Sequence, residues 1–249
     1  MKKKFLALFS ALAITGGFFS SSAALADPVS ELDDRIWQAC RVVDEVMVSP
    51  DQSIPEEMLA KCKAIAIYPN VLKGAFIFGA RFGKGVVVKK DEKTGQWGPV
   101  AFSTLGGGNF GFQIGGSATD IILVIMNESG VDSLLQNNFT MGGDASAVAG
   151  PVGRDTQGST DLFLKASILA YSRSRGLFAG ISLDGTVLTQ DNNSNTNYYG
   201  KSVSSREILL GGSIQPQPSS QDLLKRLADY STRWDKRLAS KPRGSGLPK

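Results

Sequence analysis

The sequence predicts an α+β fold: a strongly curved, mostly antiparallel, glycine-rich β-sheet, barrel-like in shape, with helices packed against it. All but four of the 28 glycines lie between residues 74 and 212, many of them inside apolar runs. Glycine costs backbone entropy in a strand and adds no side chain to pack. A sheet that tolerates so many glycines is expected to be bent or bulged, or closely approached by another layer or a ligand. Amphipathic helical patterns before and after this region supply the helices.

Residues 1–26 have the pattern of a Sec signal peptide. Three lysines at residues 2–4 precede an apolar run over 5–14, and residues 24–26 read Ala-Leu-Ala. The apolar run is too short to span a membrane, and no cysteine at the cleavage site could carry a lipid anchor. We therefore expect export through Sec to a periplasmic or secreted location, with peripheral membrane association as an option.

The charge argues against a nucleic-acid partner. The formal net charge is +4, and the three leader lysines supply most of it. The rest of the chain is therefore nearly neutral overall. Residues 27–60 are acidic and residues 221–249 are basic, so these segments could attract each other, or the basic end could meet an anionic surface.

Residues 27–212 are expected to form the main domain. Apolar residues recur at steps of three and four over 28–48, which predicts an N-terminal helix, and Pro28 suits its first position. A short helix is expected over 56–61. The sheet region then covers residues 64–212.

Nine strands are predicted from apolar and β-branched runs. They lie at 64–68, 74–80, 85–90, 98–104, 108–115, 119–126, 163–171, 176–183 and 186–190. Residues 91–95 predict a polar hairpin loop, and Asp184 with Gly185 predicts a hairpin between the last two strands. Short helices are expected at 129–138 and 204–210.

The C-terminal part is predicted to be a linker, a helix and a tail. Residues 213–220 form the linker, residues 220–239 an amphipathic basic helix, and residues 240–249 a disordered tail. The apolar stripe of the helix could pack on the sheet or lie in a membrane interface. Its candidate membrane contacts are Tyr230, Arg233, Trp234 and Arg237.

The residue types present leave little room for catalysis. The chain contains no histidine, which excludes Ser-His-Asp triads, Cys-His pairs and His-ligated metals. Gly106, Gly108 and Gly111 fit G-x-G-x-x-G, but the following residues are strand-like and offer no helix N-terminus to a pyrophosphate. We predict no cofactor, no metal and no catalytic residue. An enzyme that uses a loop carboxylate such as Asp144 is the third and weakest hypothesis.

The two cysteines, Cys40 and Cys62, both follow the leader. In an oxidising compartment they could form a disulfide, and each could equally be a buried free thiol. Their spacing along the chain does not show that the two sulfurs meet, so both alternatives stay open.

A group of cations between residues 61 and 90, here called the basic cluster, is the best indication of a binding site. It consists of Lys61, Lys63, Lys73, Arg81, Lys84, Lys89 and Lys90. Alternate residues of a strand share a face, so these side chains could form either a solvated face or an anion-binding surface. Phospholipid head groups are the abundant anions of a cell envelope.

Several longer segments of the chain occur together in one known family. They are AIAIYP, KGAFIFGARFGKGVVV, WGPVAF, GFQIGG, TDIILVIMN, MGGDASAVAGPVGR, YSRSRGLFAGISLDG and YYGK. Over about residues 30–212 the chain resembles the SYLF-domain family, lipid-binding domains that are also labelled actin-binding domains after their yeast members.

This resemblance implies membrane association, with phosphoinositide binding and actin-filament bundling among the eukaryotic members. Membrane association in those relatives is attributed partly to a basic amphipathic N-terminal helix. The predicted first helix here is acidic instead, with Glu31, Asp33, Asp34, Asp44 and Glu45 against Arg35 and Arg41. That part of the lipid mechanism therefore does not carry over, and actin binding rests on homology alone.

We therefore expect an exported, non-catalytic protein that binds phospholipid head groups or membranes through the basic cluster. The alternative is a protein-interaction or structural module of the envelope, in which the glycine-rich sheet docks a protein partner.

Overall fold

The computed structural model describes most of the chain after residue 27. The described residues are 28–48, 53–75, 79–109, 115–136, 138–144, 146–153, 163, 165–174 and 176–240. The predicted leader and the predicted tail from residue 241 onwards lie outside them.

Six helices and one 3₁₀ turn lie within the described residues. The helices are α1 (Pro28–Met47), α2 (Glu56–Lys61), α3 (Glu128–Leu134), α4 (Asn192–Tyr199), α5 (Ser205–Leu210) and α6 (Gln221–Ser240), with the 3₁₀ turn at Pro218–Ser220. Helix α4 was not predicted, because its polar sequence has no apolar periodicity. Its N-terminus is capped by Asp191, whose side chain accepts a hydrogen bond from the backbone N–H of Ser194.

The strands form a single curled sheet, a half-barrel. They are β1 (Ala64–Ala75), β2 (Gly79–Lys90), β3 (Trp97–Asn109), β4 (Gly115–Ile125), β5 (Phe139–Thr140), β6 (Ala147–Ala149), β7 (Ile168–Ser174), β8 (Leu177–Gly180) and β9 (Thr186–Gln190). Their order is β5-β9-β3-β2-β1-β4-β7-β6, and β8 also pairs with β7. Every pairing is antiparallel except β6 with β7. The predicted α+β class is confirmed.

Two predicted strands, 74–80 and 108–115, are wrong, because each straddles a chain reversal. Strand β1 ends at Ala75 and β2 begins at Gly79, while β3 ends at Asn109 and β4 begins at Gly115. The residues that connect these strand ends are as apolar and glycine-rich as the strands themselves. Alternation alone therefore could not place the reversals.

The predicted hairpin at Asp184 and Gly185 is also wrong, although a turn is present. Gly185 has a φ of 74°, as a tight turn requires. Strand β8 pairs back onto β7, however, while β9 pairs with β3 and β5 near the other edge of the sheet. The chain therefore crosses after this turn from the β7 side of the sheet to the β3 side, because β8 pairs with β7 and β9 pairs with β3. The polar loop at 91–95 does join a paired hairpin, β2 with β3.

Helices α1, α2 and α6 cover one face of the sheet. Their side chains pack with sheet residues such as Ile67, Phe102 and Tyr171, while Tyr68 and Leu123 belong to a second buried cluster. The apolar stripe of α1 from Leu32 to Met47 lies in the cluster that contains Ile67, Phe102 and Tyr171. It therefore forms part of the core and is not displayed to solvent.

A bulge in β1 sets which side chains reach each face at the end of the sheet. The pairing register shifts between Tyr68 and Val71, and Asn70 has a φ of 50°. The backbone N–H of Asn70 donates to Asp120 Oδ1 at 2.9 Å. Tyr68 and Val71 consequently point into the same buried cluster, which puts Lys73 on that face as well.

Glycine permits close backbone approach at particular positions, as the sequence predicted. A Cβ at Gly85 would collide with the backbone oxygen of Ile67 and the ring of Tyr68, and one at Gly150 would collide with the ring of Tyr171. A Cβ at Gly106 would meet nothing within 4 Å. The glycines are therefore not equivalent, and only some of them are required by packing.

Cys40 and Cys62 are separate, buried, free thiols in this structure. The Cys62 thiol donates to the carbonyl oxygen of Leu59 at 3.2 Å, and burial raises its pKa to about 11. The structure thus corresponds to the second of the two alternatives that the sequence left open.

Candidate functional site

The structure divides the basic cluster into cations with internal partners and cations without them. The ammonium of Lys61 lies 2.7 Å from Glu57 one turn earlier in α2. The ammonium of Lys84, on β2, lies 3.1 Å from Glu31 on α1. Both side chains are exposed, so these pairs contribute little stability but do neutralise the two charges.

Lys63 and Lys89 share two carboxylates near the loop between β2 and β3. Lys63 Nζ lies 3.1 Å from Glu92 and 3.6 Å from Glu128, and Lys89 Nζ lies 3.9 Å from Glu128. Burial, together with a hydrogen bond to Glu92, raises the pKa of Glu128, while that hydrogen bond and Lys63 lower the pKa of Glu92. This part of the cluster is balanced in charge.

The Lys90 side chain is held by contacts with α2 and with Trp97. Its ammonium donates to the carbonyl oxygens of Leu59 at 2.6 Å and Ala60 at 2.9 Å, and it lies 4.8 Å from the centroid of the Trp97 ring. These carbonyls belong to the last turn of α2, which has no further helical donors for them. Lys90 therefore caps α2.

A cavity of about 580 Å³ adjoins these lysines. It lies between the β2–β3 loop and the segment from α5 to Pro216, with Lys89, Lys90 and Glu128 in its lining. Because both lysines are already engaged, the cavity offers no free cation from the cluster to an anionic ligand.

Lys73 and Arg81 differ from the rest of the cluster. They are direct register partners on β1 and β2, flanked by Ser117 on β4 and Gly107 on β3. Neither forms an ion pair with any carboxylate of the described residues. Arg81 Nε is buried and has no hydrogen-bond partner in the part of the chain that the structure describes. Burial lowers the pKa of both groups, and Arg81 lowers that of Lys73 further.

We call this arrangement the cation rung, defined by Lys73 and Arg81. Two like charges on adjacent strands are unfavourable unless an anion lies between or beside them. A guanidinium, an ammonium and the Ser117 hydroxyl together offer the donors that a phosphate or carboxylate accepts.

The neighbouring rung carries an apolar pair on the opposite face. Leu72 and Phe82 are register partners and are 62% and 53% exposed. They line a cavity of about 270 Å³ beside α1, together with Asp34 and Gln38. The alternation of Leu72 with Lys73 and of Phe82 with Arg81 is visible in the sequence, but the apolar pair was not singled out there.

The predicted membrane contacts on α6 are placed by its packing. The Tyr230 hydroxyl donates to Asp44 of α1 at 3.1 Å, and the guanidinium of Arg233 lies 4.3 Å from the Tyr230 ring centroid. Arg237 lies 2.7 Å from Glu56 of α2, and Trp234 is half-buried. Three of the four side chains thus make contacts within the fold, and α6 packs against α1 and α2.

The carboxylates considered for catalysis have local structural partners. Asp144 accepts from the backbone N–H of Thr140 at 2.7 Å, and Asp184 accepts from the Ser182 hydroxyl at 2.6 Å.

Within the part of the chain that the structure describes, no group of three or more His, Cys, Asp or Glu residues could hold a metal ion. No helix among the described residues is long and apolar enough to cross a membrane.

The fold defines a class: an α+β module with a curled half-barrel sheet, which here carries two cations without carboxylate partners among the described residues near one sheet end. The chain belongs to the Ysc84 (SYLF-domain) family. The family profile described as "Las17-binding protein actin regulator" matches residues 106–230.

Curated relatives agree with this assignment. Human SH3 domain-containing YSC84-like protein 1 is 32% identical over 187 residues, which cover 75% of this chain and 54% of the relative. LAS seventeen-binding protein 3 of Saccharomyces cerevisiae is 32% identical over 180 residues, 71% of this chain and 39% of the relative. The chain therefore spans about half the length of the human relative and less of the yeast one. Neither name denotes an enzyme.

Proposed function

We propose that this protein is a non-catalytic phospholipid-binding module that recognises anionic head groups through Lys73 and Arg81. One observation carries the proposal: the two cations are register partners, half-buried, and without a carboxylate partner among the described residues. A bound phosphate would neutralise both and supply the acceptor that Arg81 Nε lacks.

The proposal narrows the site expected from the sequence. Lys61, Lys63, Lys84 and Lys89 have carboxylate partners, and Lys90 caps α2. These five have partners within the fold, so the head-group contacts are assigned to the cation rung. The signal-peptide pattern makes the cell envelope the proposed setting.

Vesicle co-sedimentation tests the proposal. The probes are phosphatidylcholine vesicles with and without phosphatidylglycerol, at low and high salt. Each cation near an anionic surface contributes about 1 kcal/mol, so Lys73→Ser with Arg81→Ser should weaken binding about thirtyfold. The matched control is Lys61→Ser with Lys84→Ser, which removes the same net charge from paired, exposed positions.

Strong binding by the control and weak binding by the rung variant would support the site. An equal loss in both would mean that net charge and not the cation rung drives binding. If no vesicle is bound, the lipid proposal is wrong.

The alternative is a protein-interaction module. It is favoured by the names of the relatives, which describe Las17 binding and actin regulation of those proteins. Stoichiometric capture of one envelope protein, without vesicle binding, would support it; actin would be tested in the same way by filament co-sedimentation.

A further inference from the structure

The face of the sheet opposite the cation rung carries a continuous apolar spot that is open to solvent. It consists of Leu72 and Phe82, whose side chains are more than half exposed. Directly opposed residues of an antiparallel pair have their Cβ atoms about 4.5–5.5 Å apart, so these two register partners form one surface. Single exposed apolar residues need no explanation, whereas an adjacent pair that lines a cavity indicates a contact surface.

Helix α1 forms the second wall of the cavity beside this pair. That wall contains Glu31 and Asp34, and the cavity between the two walls has a volume of about 270 Å³. A hydrogen bond connects the walls, because the Asn70 amide donates to Gln38 Oε1 at 3.2 Å. We call this feature the acidic groove, defined by Glu31, Asp34, Gln38, Asn70, Leu72 and Phe82.

The acidic groove carries one carboxylate without a counter-charge. Its two cations are already engaged. Lys84 lies 3.1 Å from Glu31, and Arg35 lies 3.1 Å from Asp191. Asp34 is exposed and forms no ion pair with any cation of the described residues. The groove therefore complements a ligand that is both cationic and apolar, and it disfavours an anionic one.

We propose that the acidic groove binds an extended segment of a partner protein in which aliphatic and basic residues alternate. Alternate side chains of an extended chain point to opposite sides. A segment that lies between the walls thus places its aliphatic side chains on Leu72 and Phe82 and its basic side chains toward Asp34. Asn70 Oδ1 and Gln38 Nε2 have no hydrogen-bond partner among the described residues, so both can bond to the backbone of the segment.

The size of the groove also favours a peptide segment. Pockets for small molecules usually measure about 300–1,000 Å³, and this cavity lies below that range. It holds a few side chains of a segment whose remaining residues extend beyond it. An anionic phospholipid would bring its phosphate toward Asp34, which opposes binding at this face.

This site is separate from the cation rung and does not depend on head-group binding. Lys73 and Arg81 alternate with Leu72 and Phe82 along β1 and β2, so they project from the other face of the sheet. If both proposals hold, one face of the sheet end meets the membrane while the other binds a partner segment.

The first experiment titrates a defined peptide into the protein by fluorescence anisotropy. The probe is fluorescein-labelled Ser-Gly-Leu-Lys-Leu-Lys-Gly-Ser. Two matched peptides replace either both leucines by serine or both lysines by glutamate. The probe should bind, the serine peptide should bind about tenfold more weakly or less, and the glutamate peptide should not bind.

The second experiment assigns the apolar wall. Leu72→Ser with Phe82→Ser should weaken probe binding about tenfold or more, because the leucines of the probe lose their apolar contacts. The control is Leu177→Ser, since Leu177 is 69% exposed but lies on β8. This control should leave probe binding unchanged, and thermal melts should show that all variants fold.

The third experiment assigns the charge. Asp34→Asn should weaken probe binding about threefold at low salt, as loss of an exposed ion pair does. The control is Asp132→Asn, because Asp132 is an exposed acid on α3, whose apolar residues belong to the other buried cluster. Equal effects of both substitutions would assign the charge dependence to net charge and overturn the role of Asp34.

The remaining outcomes separate this proposal from head-group recognition. Peptide binding without vesicle binding would support the groove and overturn the lipid proposal. No probe binding by the wild type at about 1 mM peptide, or equal binding by the wild type and the serine pair, would overturn the groove. If the serine pair instead changes the oligomeric state or the vesicle affinity, the apolar wall contacts a second copy or a membrane, and the groove proposal is wrong.

Discussion

The ammonium of Lys90 donates to the carbonyl oxygen of Leu59 at 2.6 Å. A lysine that the sequence grouped with a binding surface thus holds the C-terminus of α2. Lys90 is the last residue of β2, and this position places its ammonium next to the C-terminal carbonyls of α2. Lys61 and Lys90 have the same charge and belong to the same basic cluster, yet only Lys90 connects two elements of the fold.

Lys90→Ala should therefore destabilise the protein far more than Lys61→Ala. Loss of two charge-assisted hydrogen bonds and the contact with Trp97 is expected to cost about 1.5–3 kcal/mol. Loss of the exposed pair between Lys61 and Glu57 should cost about 0.5 kcal/mol or less. Urea unfolding measures both, and equal costs would contradict a capping role.

Arg35 and Asp191 join α1 to the start of α4 across 156 residues of sequence. Their side chains lie 3.1 Å apart, and Arg35 is only 7% exposed and stacks over Phe102. Asp191→Asn removes the close counter-charge of the buried Arg35 guanidinium and leaves the exposed Glu31, at 3.9 Å, in its place, so we expect a loss of about 3 kcal/mol at neutral pH. Urea unfolding provides the measurement. The pair of Lys61 and Glu57, one turn apart on α2, supplies the control, Glu57→Gln.

The same pair predicts a dependence of stability on pH. Burial alone would raise the pKa of Asp191, but hydrogen bonds from Ser194 and Arg35 outweigh it and hold the pKa below its ordinary value. A carboxyl with a lowered folded-state pKa contributes stability above its unfolded pKa of about 3.9 and loses it as the pH falls through the folded value. Below about pH 4 the wild type should therefore lose stability more steeply than Asp191→Asn. Parallel pH profiles would rule this contribution out.

Two glycines of the same sheet should respond oppositely to alanine. At Gly85 a methyl group would collide with the backbone of Ile67, which cannot move aside, so Gly85→Ala should cost at least about 2 kcal/mol. At Gly106 there is open space, and Gly106→Ala should be neutral or stabilise by about 0.5 kcal/mol. Thermal melting distinguishes the two, and a similar effect of both would mean that the sheet relaxes around Gly85.

Thiol titration decides between the free and the disulfide-bonded state of Cys40 and Cys62. Burial raises the pKa of both thiols, that of Cys62 to about 11. Neither should react with a thiol reagent at pH 8 in the folded protein, because the thiolate is the reactive form. After unfolding without reductant, both should react. No reaction after unfolding would show that the two cysteines are paired in the protein as isolated.

Much of the fold could be predicted from local pattern. The stripe over 28–48 predicted α1, the glycine distribution predicted a curved antiparallel sheet, and the resemblance identified the family. Strand boundaries at residues 74–80 and 108–115 could not be predicted, because strand and connection have the same composition there. The pairing of β9 with β3 also could not be predicted from local sequence pattern, because it depends on which edge of the sheet is free.

The sequence by itself determined the helical stripes, the absence of histidine chemistry and the presence of a basic cluster, because these follow from residue identity and spacing. Only the tertiary structure decided which cations are neutralised and which are not. Lys84 pairs with Glu31, and Lys61 pairs with Glu57. Lys90 donates to two carbonyl oxygens at the end of α2, whereas Lys73 lies beside Arg81 in the sheet. Electrostatic partners are set by distance in space, and the β1 bulge with the register of β1 and β2 fixes that distance.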